Sequence, residues 1–154
     1  MATILLTGAT GYIASHTWLA LQEAGFDVVG IDSLVNSSVK VLDRIETIGR
    51  RAPHFVKGDV RDAAALDRCF ELARTRFGGI QAVVHFAALK AVGESVERPL
   101  DYFENNLGGL LSVCQAMKRH GVNNLVFSSS ATVYGSPDTM PITEDAPLRV
   151  TNPY

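Results

Sequence analysis

Only two cysteines occur in the chain, Cys69 and Cys114, and they form no C-x-x-C pair. That excludes a disulfide framework and a vicinal redox pair. Both fall at apolar helical positions and read as buried free thiols. The four histidines, His16, His54, His85 and His120, are scattered without a partner at metal-ligand spacing, so no metal site is expected. Neither sign of charge is in excess. Fourteen Lys and Arg against 16 Asp and Glu leave a net −2, which gives no electrostatic footprint for nucleic acid or an anionic membrane. No apolar run approaches the roughly 20 residues a spanning helix needs, and Ile4-Leu5-Leu6 is cut off by Thr7-Gly8 before a signal peptide can develop. The expectation is a soluble, cytoplasmic protein with neither nucleic-acid nor membrane partners. What remains is 154 residues, 47% hydrophobic and 19% charged, enough for one globular domain with a real core.

The pattern along the chain alternates strand and helix. Thr3–Thr7 reads as a strand, followed by the turn Gly8-Ala9-Thr10-Gly11-Tyr12-Ile13-Ala14 and a helix from Ser15 to Ala24. Short apolar strands follow at 27–31 and 54–57. Asp62 is a good N-cap for a helix with Leu66, Cys69, Phe70, Ala73 and Phe77 on one face, and Gly78-Gly79 ends it. The continuous apolar run 81–86 suits a strand buried on both faces of a parallel sheet. Pro99 opens a long helix that stops at Gly121, and Leu125-Val126-Phe127 begins a fifth strand. From Gly135 to Pro153 regular structure fades. This order predicts an α/β fold, a doubly wound, Rossmann-like parallel sheet. Five strands are fewer than a complete fold of that kind usually has, so residues 1–154 read as an incomplete N-terminal dinucleotide-binding domain, cut short after the fifth strand.

The long helix shows two apolar stripes. Phe103, Leu107, Leu110, Cys114 and Met117 form one; Tyr102, Asn106, Gly109, Val113 and Ala116 form the other. Covering a sheet needs only one stripe. The second either sinks deep into the domain or packs on another helix, later in the chain or in a partner subunit.

The strand–turn–helix at the N-terminus brings free backbone N–H groups and the positive end of a helix dipole to one point, which suits a pyrophosphate. Gly8 permits the tight turn, Gly11 lets a phosphate approach the backbone, and Ala14 packs helix against strand. Asp32, at the carboxyl end of the second strand, can accept hydrogen bonds from an adenosine ribose. A 2′-phosphate would meet like charge there, and no arginine follows within ten residues, so NAD is favoured over NADP. Asp59, after the third strand, can accept from the adenine amino group. Phe86-Ala87-Ala88 lets backbone pass close to a ligand at the sheet edge, and Lys90 can reach ribose or phosphate. Ser128-Ser129-Ser130 follows the fifth strand, with Ser130 positioned for a sugar hydroxyl. Tyr154 is a candidate base, but a phenol with a pKa of about 10 needs a nearby cation to act near neutrality.

Thr7-Gly8-x-x-Gly11-Tyr12-Ile13, Asp32, Gly58-Asp59-Val60, Ser130 and Tyr154 together resemble the extended short-chain dehydrogenase/reductase superfamily. Within it, 86–96 (FAALKAVGESV) and 127–135 (FSSSATVYG) resemble the UDP-glucose 4-epimerase family. The chain departs from that pattern at Ala14, where a third glycine is commoner, and at Ala88, where a glycine often stands. The resemblance implies NAD as cofactor and a UDP-sugar as substrate. Tyr12 and Ile13 would contact the pyrophosphate through backbone. Asp32, Ser33, Asn36 and Ser37 would hold the adenosine ribose, and Asp59 with Val60 the adenine. Phe86, Ala87, Ala88, Leu89, Lys90, Asn105 and Ser128 would line the nicotinamide half. Ser130 would position the 4-hydroxyl and Tyr154 would be the catalytic base. The implied reaction is NAD-dependent epimerisation at C4 of a UDP-hexose (UDP-galactose/UDP-glucose) through a 4-keto intermediate, in a homodimer joined through the 99–120 helix. The family's partner lysine and C-terminal sugar-nucleotide domain are not found in the chain, which alone is expected to be inactive. Two alternatives stay open. One is another sugar-nucleotide dehydratase, decarboxylase or reductase, although a 4,6-dehydratase would be expected to carry Thr-Asp-Glu in place of Ser130-Ala131-Thr132. The other is a non-catalytic dinucleotide-sensing module.

Overall fold

Thr3–Thr7 (β1) is the central strand of a five-stranded parallel sheet in a computed structural model that describes residues 1–154. Every residue of β1 is buried, as expected of a strand with neighbours on both edges and helices on both faces. The chain continues through α1 (Tyr12–Glu23), β2 (Asp27–Asp32), α2 (Lys40–Gly49), β3 (His54–Lys57), α3 (Ala63–Phe77), β4 (Ala82–His85), α4 (Val92–Glu97), α5 (Pro99–Arg119) and β5 (Asn124–Phe127), and ends in a 3₁₀ turn (Ala131–Tyr134) and coil. The strand order is β3-β2-β1-β4-β5, so the winding reverses between β1 and β4. Ligands of such sheets bind in the crevice at the carboxyl ends of the strands beside that reversal.

Period-two alternation divides the core. Leu5, Val29, Ile31 and Val83 point to one face, under Leu66, Cys69, Phe70 and Ala73 of α3 and Val113, Ala116 and Met117 of α5. Leu6 and Val28 point to the other, under Trp18 of α1 and Ile45 of α2. The Asp62 carboxylate accepts from Ala64 N–H at 2.9 Å and starts α3, and Gly78 ends it in the left-handed region at φ +87°.

Several boundaries differ from the sequence reading. Helix α1 begins at Tyr12 rather than Ser15, because extended Gly11 serves as its N-cap. Helices α2 and α4 had no counterpart in the expected order. Of the two α5 stripes, Tyr102, Gly109, Val113 and Ala116 are buried, with Met117 beside them, while Phe103, Leu107 and Cys114 are exposed and are joined by Leu100 and Leu111. Cys114 is therefore not a buried thiol as expected, because nothing covers its side of the helix. Cys69 is buried, and desolvation pushes its thiol up to about 12. Leu125, Val126 and Phe127 of β5 are likewise exposed. No helix is long and apolar enough to cross a membrane.

One buried polar contact fixes the sheet's carboxyl edge. Thr7 Oγ1 accepts from the N–H groups of Phe86 at 3.1 Å and Ala87 at 3.2 Å, so its proton goes to His85 Nδ1 at 2.8 Å. Burial holds the His85 imidazole neutral and lowers its pKa from 6.5 to about 4. The unfolded chain therefore takes up the proton first as pH falls through that window, and stability present above pH 6.5 drains away toward pH 4. Urea unfolding should show a loss of about 2–3 kcal/mol between pH 7 and pH 4.5. His85→Gln, which can still accept from Thr7, should flatten the profile over that interval. An equal slope in the two proteins would discount His85 as the cause.

Candidate functional site

A cleft of about 380 Å³ opens at the carboxyl edge of the sheet, beside the β1/β4 reversal. Its floor is the turn between β1 and α1. Gly8 sits at φ +65°, and a Cβ there would lie 2.8 Å from Ala87 N, so only glycine lets the β1 and β4 loops approach this closely. Gly11 N–H donates to Gly8 O at 2.9 Å and closes the turn. No side chain caps α1, and Tyr12 and Ile13 stand exposed at its first turn. The helix thus presents unpaired N–H groups at its positive end, the arrangement that binds phosphate.

Next to the turn lies the Asp32 carboxylate, 8% exposed. Its Oδ1 accepts from Leu34 N–H at 2.8 Å and Ser37 Oγ at 3.1 Å, and its Oδ2 from Thr10 N–H at 3.1 Å. Thr10 and Ser37 are joined through their hydroxyls at 2.7 Å. The glycine turn and the end of β2 are thereby held as one unit. Asp59, at the end of β3, carries a fork from Arg61, with Nη2 at 2.7 Å from Oδ2, and that guanidinium holds its carboxyl below the ordinary carboxylate value. The loop after β4 is clamped by Asn106 of α5. The Asn106 amide accepts from Leu89 N–H at 2.8 Å and donates to Leu89 O at 3.0 Å.

Thirteen of the residues expected at a coenzyme site line this cleft together: Gly8, Gly11, Asp32, Ser33, Asn36, Ser37, Asp59, Val60, Phe86, Ala87, Ala88, Leu89 and Asn105. Tyr12, Ile13, Lys90 and Ser128 lie outside the lining, as do Ser130 and Tyr154. Ser130 caps the 3₁₀ turn, its Oγ accepting from Thr132 N–H at 3.2 Å and lying 2.8 Å from Thr132 Oγ1. Tyr154 is half-buried in coil, its N–H donating to Asn152 Oδ1 at 3.2 Å. The sequence reading missed Val35, Gly58, Arg61, Arg98, Asp101 and Glu104 in the lining, and Thr10 and Asn106 behind it. For Gly58 the signal was present, in Gly58-Asp59-Val60. For the others there was none, since an arginine or glutamate on a helix or after a turn ordinarily reads as solvated.

Fold and cleft define a doubly wound α/β protein with a glycine turn, an uncapped helix start and a buried carboxylate at the sheet's reversal. The chain belongs to the NAD dependent epimerase/dehydratase family, which it matches over residues 4–154. It is 50% identical over 151 residues to the UDP-glucose 4-epimerase of Bacillus subtilis (strain 168), covering 98% of this chain and 43% of that protein. Among solved structures, the UDP-glucose 4-epimerase of Stenotrophomonas maltophila, with bound NAD and formylated UDP-arabinopyranose, superposes with a TM-score of 0.91 at 46% identity, covering 100% of this chain and 44% of that one. That of Bifidobacterium longum, in complex with NAD+ and UDP, also gives 0.91 at 46% identity, covering 99% and 44%. The chain spans under half the length of the relatives it matches.

Proposed function

We propose that this chain is the NAD-binding part of an enzyme that epimerises a UDP-hexose at C4, with UDP-galactose and UDP-glucose as the exchanging pair. One observation carries the reading: the glycine turn, the uncapped start of α1 and the Asp32 carboxylate share a single cleft at the sheet's reversal. The residues present fit the coenzyme. Gly8 lets the turn lie close against the Ala87 backbone, and with no side chain capping α1 the N–H groups of Tyr12 and Ile13 can meet a pyrophosphate. Asp32, with Ser33, Asn36 and Ser37, would take the adenosine ribose, and its charge disfavours a 2′-phosphate. Asp59 and Val60 would hold the adenine, and Phe86 to Lys90, Asn105 and Ser128 the nicotinamide half.

Bound there, NAD would supply a hydride acceptor that returns what it takes, so that no net oxidation occurs. The chain's own residues would handle the proton. Tyr154, as the phenolate, would take it from the sugar's 4-hydroxyl and return it, while Ser130 orients that hydroxyl, the sugar passing through a 4-keto form. Support for these two roles comes from the match through residue 154 and from the identity with UDP-glucose 4-epimerases. The exposed stripe Leu100, Phe103, Leu107 and Leu111 supports a homodimer through α5. The unpaired thiols of Cys69 and Cys114 accord with the cytoplasm, where they would stay reduced.

The reading is tested by coenzyme titration together with conversion of UDP-galactose to UDP-glucose by the full-length enzyme of which this chain would be part. Tyr154→Phe should lower kcat by about 10²–10⁴-fold, the usual worth of a positioned acid–base group, with NAD affinity unchanged. Tight NAD binding without sugar interconversion would instead leave a dinucleotide-sensing module.

A further inference from the structure

The cleft contains an ion-pair network whose worth is not structural. Arg61 reaches Asp59 three ways: its backbone N–H meets Oδ1 at 2.8 Å, Nε lies 3.1 Å from both oxygens, and Nη2 lies 2.7 Å from Oδ2. Its other terminal nitrogen lies 3.6 Å from Glu104 Oε1 on α5. The Arg61 and Asp59 side chains are 40% and 35% exposed, and pairs this open to water contribute little to stability. All three residues nevertheless line the cleft.

We propose that Arg61 is a positioning residue that makes the site selective for a 6-aminopurine coenzyme, by fixing the Asp59 carboxylate from below and bracing it against α5. This rests on the coenzyme reading of the cleft. The argument is a count of acceptor sites. An ionised carboxylate offers about four lone-pair directions. The backbone N–H, Nε–H and Nη2–H of Arg61 set three protons against those four directions, the Nε–H shared between both oxygens, which leaves room for one further donor with its approach set by the fork. An acceptor-only group so aimed receives an exocyclic amino group and rejects a 6-oxo group, whose oxygen it would face lone pair to lone pair. An aspartate is ionised near neutrality in any case, and the guanidinium lowers its carboxyl further, so it has no proton to offer a 6-oxopurine.

Arg61 has a second effect that must be separated from the first. Asp32, Asp59, Asp101 and Glu104 all line the cleft, and Arg61 and Arg98 are the cations that offset them. Removing Arg61 should therefore weaken any pyrophosphate-bearing ligand, whatever its purine. The discriminating quantity is the ratio of affinities for NAD and for nicotinamide hypoxanthine dinucleotide, which differ only in the 6-substituent and the adjoining N1 proton. Both are titrated calorimetrically into the protein and its variants.

The wild-type protein should prefer NAD by about 10- to 100-fold, as expected for one hydrogen bond to a charged group. In Arg61→Gln both affinities should fall, NAD further, so that the ratio drops to within about threefold of unity. Arg61→Lys restores the charge but not the fork, and should recover overall affinity with the ratio still low. Asp59→Asn, which can turn an NH₂ toward a 6-oxo group, should reverse the preference. Equal weakening of both dinucleotides in Arg61→Gln, with the ratio intact, overturns the positioning role while leaving the coenzyme reading in place. Failure of the wild-type protein to bind either dinucleotide overturns both. Thermal unfolding of each variant checks the fold, and Arg61→Lys carries the test should the glutamine variant not fold.

Discussion

Gly8→Ala is expected to abolish coenzyme binding, with NAD affinity falling by about 100-fold or more, near 3 kcal/mol. Two separate penalties act at this position. The backbone sits at φ +65°, where a side chain costs about 1–2 kcal/mol. In addition, the new Cβ would lie 2.8 Å from Ala87 N and 3.0 Å from both Ala87 Cα and Phe86 C. These are backbone atoms, tied by their N–H groups to Thr7 Oγ1, and they cannot swing aside as a side-chain tip would. The β1 and β4 loops must part, and both are walls of the cleft. Gly25→Ala is the matching control. Gly25 lies at φ +87°, but a Cβ there meets nothing within 4 Å. It should lose about 1–2 kcal/mol of stability from the backbone alone and bind NAD as before. Calorimetric titration of both variants separates the two penalties. Undiminished NAD binding by Gly8→Ala would remove the close approach of the loops from the account.

The contrast between Gly8 and Arg61 shows which parts of the site sequence reasoning can reach. Gly8, Gly11 and Asp32 were legible because their meaning is local: a glycine spacing inside a strand–turn–helix, and an acid at the end of the next strand. Asp62 was legible for the same reason, since a cap is satisfied two residues away. Arg61 was not, because what distinguishes it from a solvated arginine is its reach to Glu104, 43 positions on, across the gap between β3 and α5. Thr10 and Asn106 were missed likewise, their partners lying 22 and 17 residues away. Helix α2 did carry a signal, with Val41, Leu42, Ile45 and Ile48 at helical spacing, but it has no capping side chain and only Ile45 is buried. Cys114 is a different kind of miss. Its stripe was recognised, but periodicity says only that a face is apolar, not whether anything in the chain covers it. Ser130 has a local role the sequence reading weighed only as an alternative: its hydroxyl was read for a sugar, and in this structure it also caps its own turn.

Gly30→Ala should be strongly destabilising, at about 3 kcal/mol or more, the upper end of the range for overpacking a core. Nothing in the backbone demands glycine here. What demands it is Trp18, the single tryptophan of the chain and fully buried. A Cβ on Gly30 would lie 2.1 Å from Trp18 Cζ3, 2.7 Å from Cη2 and 2.8 Å from the Ala9 Cβ. The indole rests directly on the β2 backbone, and its N–H has no partner in the protein, so shape rather than hydrogen bonding holds it. Leu6, Ala9, Val28 and Ile45 enclose the ring, and none of them is more than 3% exposed. The ring can move only by lifting α1 from the sheet. That displacement carries Gly11, Tyr12 and Ile13 with it, so the variant should also bind NAD more weakly, although residue 30 does not line the cleft. Trp18→Leu on its own removes packing and should destabilise the fold. Combined with Gly30→Ala, it makes room for the added methyl, so the double variant should be more stable than the sum of the two losses predicts, by at least about 1 kcal/mol. Urea midpoints of the four proteins give that coupling directly. Simple additivity would mean that the indole is not what excludes a side chain at Gly30.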